Sequence, residues 1–320
     1  MSRRIVTLIA TALGLALLFV QVESIGVSAI VDGLKRLGPT GAGLILGTSL
    51  LRQLFRTLAW TLMMDASVPF LTALGATMSG DAIGNLTPLS LLVSEPAKAM
   101  YVGAHVPPQR ALAALAAETF FYSLSVAIAV LFGVAVLFLE FAVSEPLRTI
   151  SLMFVAGMAA VLVGALWLIA KEPALVSATM ARLSRFAGTR ASAYVRLVEK
   201  IRDMETSSYA FVRSRPGRLA AVIACEFGFH VFSIAETWIM LIFLGFHSLA
   251  LAIALDTAQR MVNVVFKIVP LKIGVDEAGS GFVSSALGAG PALGVTMALV
   301  RKIRVVVWSG LGVLLNIRRA

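Results

Sequence analysis

Residues 111–138 hold a single charged side chain, Glu118. An apolar run of this length finds its natural solvent in hydrocarbon, since about 20 such residues cross a bilayer core as a helix. The pattern recurs at 5–22, 42–64, 150–170, 219–244 and 291–315. In lipid every backbone polar group must be satisfied within the chain, and runs this long do so as helices. The expectation is an all-α, polytopic helical membrane protein with about six full spans, folded as one transmembrane domain over residues 1–320.

Composition excludes a soluble core. The 320 residues are 59% hydrophobic and 14% charged, with a mean hydropathy of +0.92. A soluble domain carries roughly a quarter charged residues, and its surface could not hide this much apolar area. The net charge of +10 would suggest nucleic acid in a soluble protein. Here most basic residues fall between the apolar runs, as the positive-inside rule describes. No nucleic-acid partner is expected; a phospholipid or other membrane lipid is. The one cysteine, Cys225, offers no disulfide framework and no zinc cluster.

The charge pattern also orients the chain. Residues 171–218 are rich in arginine, with apolar side chains at helical spacing, such as Leu175, Met180, Leu183 and Phe186. They read as a cytoplasmic amphipathic segment lying on anionic headgroups. Arg318 and Arg319 lie on the same side, and the loops near 245–246 and 288–290 lack Lys and Arg. Arg3 and Arg4 precede a first span with no small-residue cleavage site near 22–28. Both termini are expected in the cytoplasm, the membrane being the bacterial inner membrane. Residues 23–37 read as an interfacial helix broken at Gly38 and Pro39.

Two stretches, 67–102 and 248–287, are interrupted by polar residues and are short of full spans. The first has a polar break from Gly80 and Asp81 to Pro88. Each stretch places an asparagine (Asn85, Asn263) before a proline (Pro88, Pro270), and a glutamate (Glu95, Glu277) seven residues after it. Each follows a span bearing a tryptophan (Trp60, Trp238) and precedes a span bearing charge (Glu118, Arg301). They are expected to be two re-entrant helical hairpins within repeats at 40–140 and 219–316. The topology sets them in opposite orientation, an inverted repeat of the kind found in alternating-access transporters.

At Pro88 with Glu95, and at Pro270, Gly274 and Glu277, the chain resembles the lysylphosphatidylglycerol synthase transmembrane-region family, also called flippase-like. The resemblance spans about 5–315. The second motif departs from the Gly-rich form, with only Gly274 between proline and glutamate. The soluble aminoacyl-transfer domain of the full synthases is missing from this sequence, so the resemblance implies moving or handling a lipid rather than aminoacylating one. Residues 94–98 also resemble members associated with hopanoid biosynthesis.

Charges at bilayer depth cost several kcal/mol and mark functional candidates. Arg52 and Arg56 share a helix face, as do Arg301 and Arg304. Glu226 and His230 also share one. With Asn85, Glu95, Lys98, Glu118, Asn263, Lys267, Lys272 and Glu277, these four arginines form the expected substrate-binding set, and Pro88, Pro270 and Gly274 the hinges. Arginine suits phosphate through its planar fork, so a cavity for an anionic headgroup is expected. The competing reading is that these charges only neutralise one another. Glu95 and Glu277 either cap helices or titrate as proton-coupling groups. No nucleotide loop, metal set or activated nucleophile is found, so no cofactor is expected. A lipid-modifying membrane enzyme and a scaffold for lipid synthesis remain alternatives to a transporter.

Overall fold

A computed structural model describes residues 27–64, 67–86, 90–171, 215–266 and 272–317, with isolated residues at 177–178, 181–182, 198–199 and 202. The expected span at 5–22, almost all of the basic 171–218 segment, and Pro88, Lys267 and Pro270 lie outside the described residues.

The first helix, α1 (Val27–Met63), is bent at Gly38, whose φ of 56° and ψ of −175° leave the helical region. Pro39 follows and cannot donate to the preceding turn, so the break falls where the sequence placed it. The longer arm of α1 carries Arg52 and Arg56. It packs along α6 (Pro216–Phe243) in the most extensive helix contact among the described residues. Gly228 makes that contact close, since a Cβ there would stand 2.8 Å from the Phe55 ring. Phe55 stacks on Phe232 with 5.6 Å between ring centroids.

Both interrupted stretches are helical pairs of matching size. The first is α2 (Phe70–Leu86, 17 residues) and α3 (Ser90–Tyr101, 12 residues). The second is α7 (Leu249–Val265, 17 residues) and α8 (Val275–Ala286, 12 residues). At 1.5 Å per residue these are about 26 and 18 Å long, against a hydrocarbon core of about 30 Å. The expected polar break from Gly80 onward is corrected: Gly80, Asp81, Gly84 and Asn85 are all helical, within α2. Lys98 lies against Gly80 and pairs with Asp81 at 2.8 Å, inside the pair, and Asn85 donates to Ser309 of a later helix at 3.3 Å.

The remaining helices are long: α4 (Pro108–Glu140), α5 (Glu145–Lys171) and α9 (Pro291–Ile317). Among the described residues, α4, α5 and α6 are long and apolar enough to cross a membrane. The α5 helix exposes Met153, Val163, Leu166 and Trp167, a surface that water would not tolerate and lipid would. The protein is a helical membrane protein.

Two apolar clusters form the core. One joins α2, α3 and the start of α4 to Trp60; the other joins α7, α8 and α9 to Met240 and Leu241. Two contacts tie them together. The α4 helix crosses α7 at Gly133, where a Cβ would meet the Thr257 hydroxyl oxygen at 1.7 Å, and α9 crosses α2 at Gly312, where it would meet the Met78 carbonyl oxygen at 2.2 Å. Small residues are how membrane helices approach this closely.

Candidate functional site

Three helices carry cavity-facing stripes at i, i+3, i+4 and i+7, which place four side chains on one face. They are Ser49, Arg52, Gln53 and Arg56 on α1; Asp256, Gln259, Arg260 and Asn263 on α7; and Arg301, Arg304, Val305 and Trp308 on α9. All face one cavity of about 490 Å³. Asp81 and Asn85 of α2, Tyr122 of α4, Lys272 ahead of α8, and Asp276 of α8 complete its polar wall. Met158 and Val161 of α5 and Val126 of α4 form an apolar side.

The cavity cations are Arg52, Arg56, Arg260, Lys272, Arg301, Lys302 and Arg304; the carboxylates lining it are Asp81, Asp256 and Asp276. Further acids stand behind the wall. Glu236 of α6, 2% exposed, accepts from Arg52 at 2.9 Å and from Arg304, so two guanidiniums share one carboxylate. Arg56 donates to Glu118 at 3.2 Å. Arg260 pairs with Asp256 at 2.6 Å, and Ser233 donates to the same carboxylate at 2.7 Å. Lys302 reaches Glu277 at 2.5 Å and Asp276 at 3.9 Å.

Arg301 differs. It is 3% exposed, and the only hydrogen bond of its guanidinium among the described residues is to the Ser280 hydroxyl, at 3.4 Å. No carboxylate among the described residues lies within 4 Å of its guanidinium, as the ion pairs of this wall go to its neighbours. A buried guanidinium without a counter-charge is costly. An anion in the cavity would supply the missing partner.

Aromatic rings hold two of the forks. The Arg52 guanidinium lies 4.7 Å from the Phe229 ring centroid and that of Arg56 lies 4.5 Å from Tyr122. Such stacking favours the cation and fixes its plane. His230 is hydrogen-bonded through both ring nitrogens. Arg260 can only donate, so it donates to His230 Nδ1; the ring proton then sits on Nε2, which donates to Ser125 at 2.8 Å.

Of the expected site residues, Arg52, Arg56, Asn85, Asn263, Lys272, Arg301 and Arg304 line the cavity. Glu95, Lys98, Glu118 and Glu277 stand outside its lining and are engaged in ion pairs. Glu277 also accepts from the Gly274 backbone N–H at 2.8 Å, the helix-capping role, with Gly274 at φ 82°. Glu95 does not open its helix: it lies inside α3, before Pro96, and pairs with Lys98 at 3.2 Å. Sequence reasoning missed Gln53, Tyr122, Asp256 and Gln259. The periodic polar stripe on α7, within an apolar run, is the signal that would have found Asp256 and Gln259.

The fold and site together define a membrane-embedded helical bundle with a cation-rich internal cavity. The family described as Lysylphosphatidylglycerol synthase TM region matches residues 7–312, and the chain belongs to it. That membership links it to membrane lipid function. No curated protein and no solved structure matches the chain.

Proposed function

We propose that the protein moves a lipid with an anionic headgroup across the bacterial inner membrane through the cavity between two inverted repeats. The observation that carries this reading is Arg301, a buried cation facing the cavity with no carboxylate within reach among the described residues. The headgroup phosphate binds there by charge-assisted hydrogen bonds, with Arg304 and Lys302 beside it.

The repeat is supported by the two helical pairs of 17 and 12 residues. It is also supported by reciprocal packing: α2 on α3, α3 on α4 and α4 on α7 have counterparts in α7 on α8, α8 on α9 and α9 on α2. On this reading the bundle has about six full spans and two re-entrant hairpins, with both termini cytoplasmic. Rocking one repeat against the other exposes the cavity to each side in turn.

The test is reconstitution in proteoliposomes with a phospholipid fluorescent in its headgroup, and an impermeant quencher to follow transfer between leaflets. The Arg301→Gln variant should insert and remain monodisperse, with transfer reduced about tenfold or more, as expected for the loss of a charge-assisted hydrogen bond. Unchanged transfer would sink the assignment. A lipid product of new mass would instead assign the cavity to an enzyme.

A further inference from the structure

A second cavity of about 230 Å³ lies between α4, α5, α7 and α8. Apart from the hydroxyls of Ser151 and Thr257, its side chains are apolar, and Thr257 donates to the Ile253 carbonyl at 2.7 Å. This cavity and the charged one share a wall. Along α5, Leu147, Ser151 and Phe154 face the apolar cavity, and Met158 and Val161, next on the same helical stripe, face the charged one. Along α4, Leu137 faces the first and Val126 and Tyr122 the second. Between these positions on α4 lie Val130 and Val134, which form a small cluster with Met261 of α7, and Phe154 and Met158 pack against it. Methionine is the most adaptable of apolar side chains, so this cluster can yield without breaking a hydrogen bond.

From these features we infer that the apolar cavity takes one acyl chain of the lipid whose headgroup occupies the charged cavity. The inference rests on the proposed headgroup site and gives it a substrate class: a phospholipid with at least one long acyl chain. Leu147 to Phe154, the stretch of α5 that faces the apolar cavity, spans about 10 Å of helix at 1.5 Å per residue, about a third of a hydrocarbon core of about 30 Å, so it houses part of such a chain. A polar cavity beside an apolar one along the α4–α5 seam matches a molecule that changes from charged to apolar along its length.

The test places a photoreactive p-benzoylphenylalanine at position 282, where Phe282 lines the apolar cavity and is 47% exposed. The full chain is reconstituted in phosphatidylcholine nanodiscs with a trace of either phosphatidylglycerol or diacylglycerol bearing the same chains. Crosslinks to an acyl chain of phosphatidylglycerol should exceed those to diacylglycerol by about tenfold, the worth of one charge-assisted hydrogen bond. Arg301→Gln should remove that preference. Equal yields from both lipids in the otherwise unaltered chain mean that annular lipid alone fills the cavity, and the inference is wrong. If equal yields accompany loss of transfer in Arg301→Gln, the headgroup reading survives without it. If Arg301→Gln changes neither transfer nor crosslinking, the headgroup reading itself fails and the inference falls with it.

Discussion

Glu236→Ala is expected to destabilise the folded protein by about 3–5 kcal/mol, the usual cost of breaking a buried ion pair from one side. Glu236 is 2% exposed and accepts from Arg52 on α1 and Arg304 on α9. Removing it leaves two guanidiniums at the junction of three helices with no carboxylate between them. Desolvation then dominates, because the attraction that offset it is gone. The readout is the midpoint of heat-induced loss of the monodisperse species in detergent. Replacing all three residues with leucine should restore much of that midpoint, since buried charges exchanged together for apolar groups are often tolerated. The same triple variant should lose lipid transfer, because two of the cavity's cations go with it. A single Glu236→Ala variant that melts like the parent would show that the triad contributes little to the fold.

Gly312→Ala should cost about 1–3 kcal/mol, as overpacking does, although it adds one carbon. That carbon would lie 2.2 Å from the backbone carbonyl of Met78, and backbone cannot rotate aside. The α9 helix must move off α2, which strains two bonds across the same contact: Ser79 to the Gly312 carbonyl at 3.0 Å and Asn85 to Ser309 at 3.3 Å. Gly310 is the internal control. A Cβ there meets nothing within 4 Å, so Gly310→Ala should stabilise by up to about 1 kcal/mol through helix propensity. The two alanine variants should therefore shift the same melting midpoint in opposite directions. Equal midpoints would mean that the α2–α9 approach is looser than described.

The two helical pairs mark how far a linear reading reaches. Matching interruptions around Pro88 and Pro270 pointed to helical pairs, and two pairs of 17 and 12 residues stand there. The reading misplaced the first break, because Gly80 and Asp81 look like loop residues until Lys98 is brought against them. A polar residue within an apolar run has two fates, a turn or a buried partner, and the partner is distant in sequence.

The charged residues divide in the same way. Hydropathy and charge spacing already determined a helical membrane chain with arginines at depth, because the cost of charge in hydrocarbon depends on the local run alone. Which of those arginines is neutralised depends on the helices that meet it. Arg52, Arg56 and Arg304 find Glu236 and Glu118 across the bundle, and Arg301, one turn from Arg304, finds only a serine among the described residues. Ion pairing is a matter of distances of a few ångströms between segments far apart in the chain. The tertiary structure therefore decided which cation faces the cavity without a carboxylate beside it among the described residues.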